Sequence, residues 1–182
     1  MITPDYPRIM ARYNRWQNAS LIAAASTLSD AERWRDRGAF LGSIARTLNH
    51  VYWDDRIWSA RLARDGRDKS IPYAHPYADE PRDWAEYVRL RRELDDALIA
   101  WADDLTTAAM GREAPWMKNG ALRRPRLGFC VVHLFNHQTH HRGQAHAMLT
   151  MAGARPDETD LHVAPEIGPD VLGLPTAPGG GD

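Results

Sequence analysis

The sequence has little of what a disulfide-stabilised or membrane-spanning protein requires. Cys130 is the only cysteine among 182 residues, so an intrachain disulfide is impossible and a reducing compartment is expected. The longest apolar runs fall far short of the about 20 residues that span a bilayer. The first residues also lack the basic and apolar regions of a signal peptide. These absences favour a cytoplasmic protein without a membrane partner.

The sequence also lacks an excess of either sign of charge. The chain has 23 Lys and Arg against 24 Asp and Glu, a net charge of -1 at pH 7. Its arginine clusters, at residues 89–92 and 123–126, are short or flanked by acidic residues, and they are interpreted as solvated surface. Nothing in this balance attracts nucleic acid, so we expect no nucleic-acid partner.

Apolar residues recur every three to four positions in four long stretches, which predicts four helices. The stretches run approximately from Pro4 to Thr27, from Phe40 to Arg64, from Pro81 to Thr107 and from Arg126 to Met151. Helices of similar length joined by moderate loops are typical of one bundle, and 182 residues are barely enough for a second core. We therefore predict an all-α fold, a four-helix bundle.

Shorter segments are predicted to interrupt or follow these helices. Ser29–Glu32 has the form of a capping box that opens a short helical turn. Asn119–Gly120 is a strong signal for a two-residue hairpin, so a small β-ribbon or tight loop is expected before the last helix. The chain from Ala154 onward has five prolines and five glycines. We assign residues 1–161 to the bundle and residues 162–182 to an extended tail.

Histidine is concentrated in the last predicted helix, where five of the eight histidines lie between His133 and His146. His137 and His141 would lie about 40° apart around the helix and about 6 Å apart along it, so both imidazoles can reach one divalent ion. His133 and His137 have the same spacing, so periodicity leaves the register of the pair open. All three cannot share an ion, because His133 and His141 would be about 12 Å apart.

Other residues around this pair allow more than one role. His140 and His146 do not lie on the helix face that His137 and His141 share, and they are interpreted as polar packing or as support for the ligands. On the second predicted helix, His50 lies at the shoulder of the apolar stripe, where it can face a neighbouring helix or solvent. Asp54, one turn later, can orient a ligand, act as a general base, or be an ordinary surface carboxylate. Arg142 can hold a substrate carboxylate, or form an interhelical or surface ion pair.

Two further residues of the last predicted helix have simpler interpretations. Gln144 lies about 20° from His137 around the helix and is a candidate to orient a ligand or the N-terminal helix. Cys130 lies on the same face as His137 but about 10 Å away along the axis, too far to share an ion. We therefore expect Cys130 to be a small core residue rather than a nucleophile.

The histidine-rich segment Phe135–Gln144 closely resembles the C-terminal helix motif of the DinB family, which consists of damage-inducible-type metal-binding four-helix bundles. Tyr13–Asn18 in the first predicted helix resembles the corresponding family segment. Leu48–His50, together with Trp58, does the same in the second. The resemblance covers approximately residues 6–161, essentially the whole predicted bundle.

For this chain, the resemblance implies a divalent metal ion held by His50, His137 and His141. It thereby selects the His137–His141 register over the one with His133, and it gives His50 the role of third ligand. Three neutral imidazoles leave coordination positions open, which is typical of catalytic rather than structural sites. Ligation by nitrogen alone suits Zn or Ni, with Fe, Co or Mn as alternatives.

The resemblance also bears on the reaction and the partners. Related bundles include thiol transferases that use bacillithiol, mycothiol or glutathione, and a thiol-dependent isomerase, and family proteins often form homodimers. We therefore expect a metal-dependent enzyme that activates a low-molecular-weight thiol for attack on an electrophile, or water for hydrolysis. The alternative is a metal-binding stress-response protein or dimeric interaction protein without turnover.

Overall fold

Four long helices pack against one another in the structure, a computed structural model that describes residues 2–62, 77–118, 120–165 and 167. In chain order, the elements are α1 (Asp5–Ser26), α2 (Asp30–Trp34), α3 (Ile44–Leu62), a 3-10 turn (Tyr77–Asp79), α4 (Trp84–Asp103), α5 (Thr107–Met110), β1 (Trp116–Lys118), β2 (Ala121–Arg123), α6 (Leu127–Met151) and a second 3-10 turn (Leu161–Val163). α1 and α3 each pack against both α4 and α6, so the long helices form a ring of neighbours. The predicted all-α four-helix bundle is confirmed.

Local capping chemistry explains where α2 and α3 begin. The backbone N–H of Glu32 donates to the Ser29 hydroxyl at 3.2 Å, which is one half of the predicted capping box. The Glu32 carboxylate pairs with Arg35 and Arg37. α3 begins at Ile44 rather than near Phe40, because Gly42 has a φ of +82° and the Ser43 hydroxyl accepts from the Arg46 N–H at 3.2 Å. The placement of Phe40 in the buried stripe of this helix was wrong, since Phe40 is 82% exposed.

α4 is also shorter than predicted. It begins at Trp84, where the Asp83 carboxylate caps the helix by accepting from the Glu86 N–H at 2.7 Å. Pro81, predicted to lie in the first turn, therefore precedes the helix. At the other end, α4 stops at Asp103, before the predicted end near Thr107, and a separate short helix, α5, begins at Thr107.

A short antiparallel hairpin precedes α6, as predicted. β1 pairs with β2, with Trp116 opposite Arg123 and Met117 opposite Leu122. Gly120 has a φ of +74°, a conformation that glycine adopts without steric cost. Most of the predicted loop at residues 67–80 and most of the predicted tail at residues 162–182 lie outside the described residues. Within the described helices, none is both long and apolar enough to cross a bilayer.

The core of the bundle consists of two apolar clusters with buried polar side chains between them. Along each long helix, residues of one cluster precede the polar positions and residues of the other cluster follow them. We call the following buried residues the polar layer: Asn14, Asn18, Asp55, Arg91, Asp95, Gln138 and Arg142. All four long helices contribute to it, so the two apolar clusters are joined through a polar interior.

Arg91 lies at the centre of the polar layer and is fully buried. Its guanidinium donates to Asp55 of α3 at 2.6 Å and to Asp95 of α4 at 2.8 Å. The Asn18 amide of α1 also donates to Asp95, at 2.8 Å. A buried charge is costly unless it is paired and hydrogen-bonded, so these contacts fix three helices relative to one another. The interpretation of the cluster at residues 89–92 as solvated surface was wrong for Arg91.

Replacement of Arg91 tests this dependence on the polar layer. In Arg91→Ala, the Asp55 and Asp95 carboxylates lose their cation but stay buried, so the free energy of unfolding should fall by about 3–5 kcal/mol. Arg89→Ala on the same helix removes only an exposed pair with Glu93 and should cost about 0.5 kcal/mol or less. Urea denaturation followed by circular dichroism measures both. Equal effects of the two substitutions would contradict a desolvated Arg91.

Candidate metal centre

α3 and α6 bring three imidazoles together beside the polar layer. His50 lies on α3, and His137 and His141 lie one turn apart on α6. One nitrogen from each ring lies within 4.8 Å of the others, and the Nε2 atoms of His50 and His137 are 3.2 Å apart. Nitrogens that bind a zinc-sized ion at about 2.0–2.1 Å are themselves about 3–4 Å apart. The cluster could therefore hold a divalent metal ion after small side-chain rotations.

The structure brings His137 and His141 to His50, and it places His133 elsewhere. The ring of His133 lies 6.1 Å from that of His137 but packs on Trp58, with centroids 4.8 Å apart. His133 is exposed, whereas His141 is buried. The geometry therefore agrees with the His137–His141 register, which spacing alone could not choose.

A side-chain amide orients His141. Its Nδ1 donates to Oε1 of Gln144 at 2.8 Å, and the amide nitrogen of Gln144 lies 3.2 Å from Nε2 of His140. The amide nitrogen of Gln144 can only donate, and the amide oxygen that faces His141 can only accept. Nδ1 of His141 therefore carries a proton, which leaves the Nε2 lone pair for a metal. Gln144 thus orients His141, a candidate ligand, and contacts His140 with its other polar atom.

A carboxylate lies beside His137. Oδ2 of Asp54 is 3.2 Å from Nδ1 of His137. The two atoms are not aligned for a hydrogen bond, and neither has another partner among the described residues. Burial raises the pKa of Asp54 to about 7, and the charge of Asp55 adds to this increase. A small rotation would let Nδ1 of His137 donate to this carboxylate, which would direct Nε2 at the cluster and make the imidazole a stronger ligand.

Burial keeps the three imidazoles in the form that binds a metal. Burial, together with a smaller effect of the neighbouring imidazoles, lowers the pKa of His50 to about 4 and that of His137 to about 3. The pKa of His141 is also lowered by burial, against the opposing effect of its hydrogen bond to Gln144. Only the neutral ring offers a lone pair to a metal. The donor set therefore fits a divalent ion at neutral pH.

Two other candidate residues are buried. The guanidinium of Arg142 is part of the polar layer and lies 5.6 Å from the ring centroid of Tyr13. Burial lowers the pKa of Arg142 to about 10. This environment supports an interhelical role, and contact with a substrate stays a prediction. Cys130 lies in an apolar cluster, as predicted for a core residue, and burial raises the pKa of its thiol to about 11.

The fold and the site define an all-α bundle in which three clustered histidines could hold a divalent metal ion. The DinB family model matches residues 1–170, and the chain belongs to the DinB family. The chain is 23% identical over 163 residues to Protein DinB of Bacillus subtilis (strain 168), a match that covers 86% of this chain and 91% of that protein. The crystal structure of a DinB-like protein from Bacillus cereus ATCC 10987 matches with a TM-score of 0.56 at 16% identity, over 79% of this chain and 90% of that one.

Removal of one imidazole tests the metal centre. His137→Ala should abolish stoichiometric zinc binding, because two histidines hold an ion much more weakly than three. Added zinc should raise the melting temperature of the wild-type protein but not that of the variant. His133→Ala, one turn earlier on α6, is the matched control and should bind zinc normally. Metal analysis after dialysis measures the binding, and a full equivalent retained by His137→Ala would rule out the site.

The two supporting contacts can be tested without removing a ligand. Asp54→Ala and Gln144→Ala leave all three imidazoles in place and should each weaken zinc affinity about 10–100-fold, because the rings lose the groups that orient them. His146→Ala, on the same helix, should leave affinity unchanged. Competition against a chromophoric chelator measures these constants. Wild-type affinity in both variants would show that packing alone orients the rings.

Proposed function

We propose that this protein is a metal-dependent enzyme that transfers a low-molecular-weight thiol to an electrophile, with His50, His137 and His141 as metal ligands. A bound divalent ion would supply Lewis acidity that stabilises a thiolate, or a hydroxide for hydrolysis, at neutral pH. The observation that carries the proposal is the open ligand set. Among the described residues, the cluster offers three neutral nitrogens, fewer than the four ligands of a closed structural zinc site.

The side chains around the ligands have separate roles in this proposal. Gln144 and Asp54 hold His141 and His137 with Nε2 toward the cluster. The Asp54 oxygen that faces His137 is then engaged in positioning, so we assign Asp54 an orienting role rather than that of general base. His50 and His137 are partly exposed while His141 is buried, so a small molecule would approach from the side of the first two.

Zinc or nickel is the proposed resident ion, because neutral nitrogen ligands suit both, and Fe, Co and Mn are the alternatives that metal analysis would distinguish. The proposed partners are a small thiol and a small electrophile. A homodimer and a cytoplasmic location stay predictions from the family resemblance and the composition.

Cobalt substitution tests whether a thiol reaches the ion. The cobalt-loaded protein should develop a saturable sulfur-to-cobalt absorption band with glutathione, bacillithiol or mycothiol, because a site with open positions accepts a thiolate. S-methylglutathione, which has no ionisable thiol, should produce no band. His141→Ala should bind neither cobalt nor thiol. If no thiol produces a band, the thiol-transfer proposal fails, and a metal-binding protein without turnover becomes the better reading.

Turnover is tested separately with a panel of thiols and electrophiles. We expect product only with metal-loaded protein, and loss of product after treatment with a chelator. Turnover that survives complete metal removal would contradict the assignment of the three histidines to catalysis.

A further inference from the structure

We infer that a cavity between α3 and the start of α4 binds a small apolar zwitterion, of the amino-acid or dipeptide type. The cavity has a volume of about 660 Å³, which is within the range of small-molecule sites. The inference goes beyond the proposed function and does not depend on it. The cavity is lined by residues of α3, of the segment before α4 and of α4 itself: Tyr52, Trp53, Arg56, residues 79–83, Glu86 and Leu90.

The cavity lies on a different face of α3 from the metal centre. Around this helix, Tyr52, Trp53 and Arg56 lie roughly 60–160° from His50. Among the described residues, the lining includes none of the three imidazoles. A ligand in the cavity therefore does not need a metal ion at His50, His137 and His141.

Hydrogen bonds from α3 hold the opposite wall of the cavity in place. The indole N–H of Trp53 donates to the backbone carbonyl of Glu80 at 2.8 Å. One turn earlier on α3, the Asn49 amide donates to the carbonyl of Ala78 at 3.3 Å and to that of Pro81 at 3.1 Å. The segment that leads into α4 is thus tied to the helix it faces, and the cavity between them is pre-formed.

Arg56 is the group that would receive an anion. Its guanidinium lies 4.8 Å from the ring centroid of Trp53 and 5.9 Å from that of Tyr52, and its side chain is partly buried. Arg91 and Arg112 donate to protein oxygens, whereas no acceptor for Arg56 lies among the residues that the structure describes. A guanidinium stacked on a ring keeps its N–H donors for a carboxylate, which it binds through two parallel hydrogen bonds.

The carboxylates of the cavity differ in how they are engaged. Asp79 pairs with Arg46 at 2.7 Å, and Asp83 caps α4. Glu80 and Glu86 are exposed, and within the described part of the chain their carboxylates have no cationic partner. Two carboxylates at the cavity therefore remain for a cationic group.

This balance of charge selects the ligand. Arg82, which stacks on Trp34 at 4.7 Å, is the second arginine of the lining, so the cavity presents cations as well as the two glutamates. A ligand of one sign would meet like charge, whereas a zwitterion places its carboxylate at Arg56 and its ammonium at the glutamates. Trp53 and Leu90 are partly exposed and offer apolar surface to its body.

A dipeptide and its two capped forms provide the test. Leucylphenylalanine has both charges, N-acetyl-leucylphenylalanine has only the carboxylate, and leucylphenylalaninamide has only the ammonium. Each is titrated into the full chain by isothermal titration calorimetry. The wild-type protein should bind the free dipeptide at least about tenfold more tightly than either capped form, as expected for charge-assisted hydrogen bonds.

Substitutions assign each charge to its partner. Arg56→Met keeps the stem of the side chain and should abolish the preference for the free dipeptide over its amide. Glu80→Gln/Glu86→Gln should abolish the preference over the acetylated form. Arg89→Met is the matched control, because Arg89 lies on α4, pairs with Glu93 and does not line the cavity. It should leave both preferences unchanged, and circular dichroism with the melting temperature establishes that the variants are folded.

Several results would overturn the inference. One is the absence of saturable binding of the free dipeptide to the wild-type protein, and another is equal binding of the capped forms. Neither needs a variant, so both apply even if Arg56→Met does not fold. Preferences that persist in Arg56→Met would also contradict the site.

Treatment with a chelator separates the cavity from the metal centre. Binding of leucylphenylalanine should be unchanged after metal removal, because the cavity lies on another face of α3. Loss of binding after metal removal would place the termini of the dipeptide at the imidazoles and overturn the cavity as the site. Failure of the dipeptide to bind at all leaves the metal-dependent function untouched, since that function is measured with thiols.

Discussion

The pairing of Arg91 with Asp55 and Asp95 is the interaction on which the rest of the structure depends. Three unit charges lie in the interior between two apolar clusters, and they are tolerable there only because each meets a partner at hydrogen-bonding distance. A shift of α3 or α4 by one turn would separate them. The polar layer therefore fixes the register of the helices more strictly than apolar side chains would, since apolar contacts can be exchanged for similar ones.

The candidate metal centre is the outer margin of this layer. Asp54, which faces His137, is adjacent in sequence to Asp55, which binds Arg91. On α6, His137 and His141 alternate with Gln138 and Arg142. The register that satisfies the interior charges thus also sets which imidazoles meet. The polar layer also changes the pKa of a carboxyl group in the metal centre, because the charge of Asp55 contributes to the raised pKa of Asp54.

The long helices and the hairpin could be predicted because their signals are local, whereas the layer could not. The periodicity of α1 and α6 predicted their bounds to within one residue, but the capping contacts of Ser43 and Asp83 decided where α3 and α4 begin. Arg91 and Asp95, four residues apart, have the spacing of an ordinary solvated pair, and only packing against the other helices buries them. Spacing suggested a histidine pair on α6 but left both its register and the role of His50 open, because these depend on the contact between α3 and α6. The hairpin was expected, yet nothing local indicated that Trp116 would reach Trp58.

The arrangement of the polar layer has a consequence for synthesis on the ribosome. Asn14 and Asn18 belong to α1, and Gln138 and Arg142 belong to α6, so the layer joins the first and the last of the four long helices to be made. Until α6 has emerged, the charges on α3 and α4 lack part of their final enclosure and stay hydrated. His50 likewise meets the other two imidazoles only when the last helix docks. The nascent chain therefore completes its interior and its three-imidazole cluster in the same late step, and an incomplete chain presents a lone histidine to the metals of the cell.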